Sequence, residues 1–162
     1  MQSIDIKDFT RLGSVLVGDV KVSDLSRLQN LIVPGQEELR YELQGGFSAR
    51  HEPQITCIMR GAISLQCQRC LGSFSYLVDI DATLVFVGSE SELPAIEEEN
   101  ESVDYMVAQE KLDLVDLIEE EVILALPFAP RHDEGECDEW LEQEAASDKP
   151  SPFAALTKLK RS

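Results

Sequence analysis

The clearest periodicity in this chain is the two-residue alternation of Leu39, Tyr41 and Leu43 with Arg40 and Glu42, which predicts a strand with one buried face. Two longer runs rich in β-branched and aromatic residues follow, Ile55 to Leu65 and Phe74 to Val87. Gln66-Cys67-Gln68-Arg69-Cys70-Leu71-Gly72 separates them, which predicts two antiparallel strands joined by a tight turn. In the second run Ile80, Ala82, Leu84 and Phe86 alternate with Asp79, Asp81, Thr83 and Val85. Gly45-Gly46 reads as a bulge or bend.

Before these strands the pattern is shorter in range. Val15 to Val22 alternates as a strand, and Leu25, Leu28, Leu31 and Ile32 fall at helical spacing behind Ser23. That predicts a helix capped by Ser23, running to Leu31 and closed by Val33-Pro34-Gly35. Further on, Ser102 to Val107 reads as one more strand. The strongest helix begins at Asp113, with Leu114, Ile118, Val122 and Ala125 on a four-residue step, and Pro127 ends it. Asp113, Asp116 and Glu120 lie on another face, and early acids suit the positive end of a helix. The last fifteen residues read as a short helix with Phe153, Leu156 and Leu159 on one face. The expected class is α+β: an antiparallel β-meander, with a barrel-like closure as an option, and a few packed helices. Residues 1–145 form one domain in this reading, with an acidic mobile loop at 88–103, and 146–162 form a flexible C-terminal tail.

Charge changes this picture in one place. The formal net charge of −17 is concentrated in residues 90–144, where 20 acids stand against Lys111 and Arg131. The other residues hold 11 acids and 12 bases, so the rest of the chain is close to neutral. Phosphate repels such a segment, which leaves a solvated acidic stretch or a docking face for a basic partner. The triplet Glu119-Glu120-Glu121 reads as a solvated helix face, because three consecutive helical residues spread over about 200° and cannot converge on one ion. The basic end, Lys158, Lys160 and Arg161 with Lys149, reads as a solubilising tail or as a weak phosphate contact. The start of the chain carries no secretory leader pattern, and the longest apolar stretch, Val122 to Pro130, is too short to span a membrane. The expected location is the cytoplasm.

There are four cysteines. Cys57 lies inside a strand run and reads as a small buried hydrophobe. Cys67 and Cys70 have the two-residue spacer that lets two thiolates point at one metal, and Arg69 between them favours the thiolate form. His132 and Cys137 would complete a Cys, Cys, His, Cys set for zinc, if the fold closes the gap of 61 residues between Cys70 and His132. A redox pair, which wants a helix start after a strand, is a second reading. A plain role as reduced turn and core residues is a third. His51 falls in a polar loop and reads as solvent-exposed. No phosphate-binding glycine loop, serine nucleophile elbow or paired carboxylate and base is present, so no small-molecule substrate is indicated.

Several of these pieces together resemble the YceD family of large ribosomal RNA subunit accumulation proteins. They are Leu65 to Cys70 ahead of a β run, Leu112 to Pro127, His132-Asp133 with Cys137, and Lys149-Pro150-Ser151-Pro152-Phe153-Ala154 through Leu159-Lys160-Arg161. The matching positions include Cys67, Arg69, Cys70, Glu120, Glu121, Pro127, His132, Cys137, Pro152 and Phe153. The resemblance implies a bacterial cytoplasmic protein needed for synthesis, processing or stability of 23S ribosomal RNA, with no known catalytic residues and no established cofactor. The partner it implies is a ribosomal protein, a processing factor, or the pre-50S particle with its 23S precursor; the oligomeric state stays open. An RNA-processing or redox enzyme using Cys67 and Cys70 is the alternative from another class.

Overall fold

Five strands build the main sheet: β2 (Val15–Lys21), β3 (Glu38–Phe47), β4 (Pro53–Gln66), β5 (Ser73–Val87) and β6 (Val103–Val107), in that spatial order. The computed structural model describes residues 3–94, 103–133 and 135–137. β1 (Ser3–Asp5) pairs antiparallel with β7 (Lys111–Asp113) in a separate two-stranded ribbon. Helix α1 (Ile6–Arg11) follows β1, and α2 (Leu114–Ala125) follows β7 directly. The α+β class is as the alternation predicts.

β2 to β5 are antiparallel neighbours, but β6 pairs with β5 in parallel. The expected antiparallel meander therefore holds only through β5, and the sheet stays open rather than closing into a barrel. Parallel strands need a long connection, of about a dozen residues or more. The acidic stretch between Val87 and Val103 supplies it. Within it, Glu90–Glu92 forms a short 3-10 turn, while 95–102 lies outside the described residues. The proposed tail at 146–162, with its short helix, also lies outside them.

The helix expected from Ser23 to Leu31 is replaced by two 3-10 turns, Val22–Asp24 and Leu28–Asn30. Its apolar residues are still used: Leu25 and Leu28 are fully buried and Ile32 nearly so, whereas Leu31 stays half-exposed. Tertiary burial took the apolar pattern and discarded the helical backbone between.

Gly45 and Gly46 form no bulge. Both stay in register in β3, opposite Ile55 and Gln54. The reason for glycine is specific to Gly45, where a Cβ would lie 2.4 Å from the carbonyl oxygen of Phe9 in α1. The strand thus accepts the helix backbone at close range. The core sits on this face of the sheet, where Leu43, Ile55, Met59, Ile80 and Leu84 meet Leu25, Leu28, Ile118 and Val122. Cys57 belongs to it as a buried hydrophobe, and burial pushes its thiol up to about 12.

Candidate metal centre

The turn between β4 and β5 is held by its own backbone: Cys67 N–H donates to Gly72 O at 2.8 Å and Leu71 N–H to Cys67 O at 2.9 Å. Leu71 turns the chain with φ of 61°, the left-handed region in which a bulky residue is uncommon. This tight reversal brings both cysteines to one side. The Arg69 N–H donates to Cys67 Sγ at 3.4 Å.

The other half of the site comes from the segment after α2. Asp113 caps that helix, its Oδ1 accepting from Val115 N–H at 2.9 Å and Asp116 N–H at 3.3 Å. The helix ends at Ala125, with Leu126 as its cap and Pro127 beyond. The chain then runs back to the hairpin turn, where Gln68 N–H donates to Pro130 O at 2.8 Å. The His132 ring packs on Phe74 with centroids 5.0 Å apart.

Four donor atoms converge there. Cys67 Sγ lies 3.6 Å from Cys137 Sγ, and His132 Nδ1 lies 3.4 Å from Cys70 Sγ and 3.5 Å from Cys137 Sγ. All four ligand atoms of Cys67, Cys70, His132 and Cys137 are within 4.8 Å of one another. A tetrahedron around zinc, with bonds of about 2.3 Å to sulfur and 2.0–2.1 Å to nitrogen, has edges of about 3.5–3.8 Å. These three spacings match those edges, and with the other pairs within 4.8 Å the donor set is compatible with a tetrahedral metal. The gap of 61 residues is closed by the fold.

The electrostatics differ between two of the donors, favouring the thiolate at Cys67 and the thiol at Cys137. Burial alone would raise the Cys67 thiol; N–H donors from Cys70, His132 and Arg69, with the His132 side chain, outweigh it and bring the value to about 5. For Cys137 burial dominates, and the facing Cys70 and Cys67 sulfurs add to it. The Arg69 side chain bonds to that sulfur and opposes the rise. Arg69 thus serves both cysteines, through its backbone on one and its side chain on the other.

The remaining singled-out residues divide by location. Asp116 is exposed in the first turn of α2. Glu120 is half-exposed and pairs with Arg27 at 2.7 Å. The solvated face expected for the Glu triplet holds for Glu120 alone, since Glu119 and Glu121 are buried. Glu119 Oε1 accepts from the backbone N–H of Arg27 at 2.8 Å and ties the 3-10 segment to α2. Glu121 has its carboxyl pushed up to about 7, first by burial, then by Asp104 and Glu120. A signal for both was present: Glu119 is four residues past Val115, and Glu121 four past Leu117, so each flanks the apolar stripe. Nothing local announced Arg27 or Phe74 as partners. His51 is exposed, as expected. Pro152, Phe153, Lys158, Lys160 and Arg161 lie outside the described residues.

Among the described residues no helix is long and apolar enough to cross a membrane. The chain is 28% identical over 156 residues to a Haemophilus influenzae protein named large ribosomal RNA subunit accumulation protein YceD, covering 90% of this chain and 87% of that protein. No solved structure matches it. The family model described as large ribosomal RNA subunit accumulation protein YceD matches residues 55–160, which include the hairpin turn, α2 and all four converging donors. The chain belongs to the YceD family.

Proposed function

We propose that this protein is a non-catalytic, cytoplasmic ribosome-biogenesis factor that supports synthesis, processing or stability of 23S ribosomal RNA. It acts by binding a basic ribosomal protein, a processing factor or the large-subunit precursor particle. Cys67, Cys70, His132 and Cys137 hold a structural zinc ion in this reading. The observation that carries it is the closed donor set in a family named for accumulation of large-subunit RNA. Four protein donors fill a tetrahedron and leave no position for water or substrate, which distinguishes structural zinc from catalytic zinc. The pair also sits on a turn between two strands rather than at a helix start, which speaks against a thioredoxin-like redox role.

The acidic connection after β5 is the surface offered to a basic partner. Its exposed acids are suited to that task; Glu119 and Glu121 are not, because the fold uses them internally. The basic end supplies the contact with RNA or the precursor particle. Co-sedimentation with pre-50S particles tests the reading. Neutralising Glu90, Glu92 and Glu97 to Glu99, or deleting residues 149–162, reduces association. Normal co-sedimentation of both variants would refute it. Crosslinking and pulldown from cells, scored for ribosomal proteins and 23S precursor, then names the partner.

A further inference from the structure

Beside the metal centre lies a groove of about 710 Å³, a size common for binding clefts. Its walls are Leu31 to Pro34, the end of α2 at Ile123 and Leu126, and the stretch Pro127 to Pro130. No charged side chain lines it, and its polar lining is the amides of Asn30, Gln66 and Gln68. Phe128 is fully exposed there and Leu31 is half-exposed. Large apolar side chains gathered in one open concavity mark a binding surface more often than bare surface.

We propose that the groove takes an apolar anchor side chain from a basic polypeptide segment, with a neighbouring arginine or lysine held at its edge. The proposal rests on the reading above, in which the partner is a basic protein, and adds the place where that partner is gripped. The groove is preformed for the task. Val33 N–H donates to Ser64 O at 2.7 Å and Gln68 N–H to Pro130 O at 2.8 Å, so both loop walls are tied to the β4–β5 hairpin. A segment that enters meets walls already ordered, which lowers the cost of binding.

Charge selects the occupant. The last turn of α2, which ends in the groove, carries no basic residue of its own, so its partial negative charge suits a cation from outside. The exposed ring of Phe128 offers a face on which a guanidinium stacks. Asp133 and Glu136, both exposed, follow on the same segment. The net charge of −17 repels a second copy and repels RNA, and the uncharged lining holds no cation for a phosphate. An apolar anchor flanked by positive charge satisfies the lining and the surrounding field together.

The test titrates the purified full chain with three short synthetic peptides, read by amide chemical shifts. The first carries arginine with leucine and phenylalanine. The second keeps the arginines and has serine at the apolar positions; the third keeps the apolar residues and has glutamate for arginine. The first shifts amides at 31–34 and 123–130 and binds at least about tenfold more tightly than either of the others. Phe128→Ser with Leu31→Ser abolishes that preference. Equal binding of the first peptide and either control, or shifts confined to other surfaces, overturns the proposal. Self-association that Phe128→Ser abolishes would give the groove to a second copy and also overturns it. Association with pre-50S particles falls in the same double variant. If it stays normal there while neutralising the acidic connection reduces it, the groove proposal fails and the functional reading stands. If neither these changes nor deletion of residues 149–162 reduces it, both fail.

Discussion

The sulfurs of Cys67 and Cys137, 70 residues apart in the chain, lie 3.6 Å from each other. Cys67 belongs to a hairpin turn, and Cys137 to the segment that returns from α2. Their approach, with His132 and Cys70, joins the sheet to everything that follows the helix. In the proposed reading a metal held there clasps the fold, and its removal acts on stability.

The proposed site predicts about one zinc per chain in the purified protein and a lower thermal midpoint on chelation. Cys70→Ser and His132→Ala each weaken zinc affinity by at least about tenfold, read by competition with a chelating dye. Cys57→Ala leaves the metal in place, because Cys57 lies in the core outside the cluster. A metal-free protein with an unchanged midpoint would refute the site.

Glu119 is 2% exposed and accepts the Arg27 backbone N–H. Glu119→Ala leaves that donor unpaired and costs about 1–3 kcal/mol in denaturant unfolding. Glu119→Gln keeps an amide oxygen at the same place and recovers most of the loss. Equal loss in both variants would show that the carboxylate charge, rather than the acceptor, matters.

Glu121 makes the fold pH-dependent. Its folded value, about 7, lies above the usual 4.5 of the unfolded chain. The folded state therefore binds more protons than the unfolded state between these values, and stability falls as pH rises through that window. Above pH 7 the penalty is fully present, on the order of a few kcal/mol. Glu121→Gln removes the ionisation: the variant is more stable than the parent at pH 8, and the gain disappears near pH 4. A gain independent of pH would attribute the effect to packing.

The adjacent glycines of β3 differ in what a side chain there would meet. A Cβ on Gly45 would meet the Phe9 carbonyl oxygen at 2.4 Å, while one on Gly46 meets nothing within 4 Å. Gly45→Ala forces α1 from the sheet and costs about 1–3 kcal/mol; Gly46→Ala changes stability by less than about 0.5 kcal/mol. Matching denaturation midpoints for the two variants would show that α1 yields without cost.

The strands of the hairpin, the start and stop of α2 and a candidate set of four donors were legible along the chain. Each rests on local chemistry: alternation between Ile55 and Leu65, Asp113 before an apolar four-residue step, Pro127 after it, and donor types at fixed spacing. Other features depended on neighbours distant in sequence. The segment from Ser23 to Leu31 carries helical spacing, yet burial of Leu25 and Leu28 is met by two 3-10 turns. β6 pairs in parallel because a long connection allows it, and alternation is the same for either direction. Glu119 reads as a surface acid until the Arg27 N–H is placed beside it. Residue pattern determines which groups seek burial and which can donate or ligate. Only the folded chain decides who meets whom, because contacts such as Cys67 with Cys137 are set by the path of the backbone across the sheet, and that path leaves no trace in local spacing.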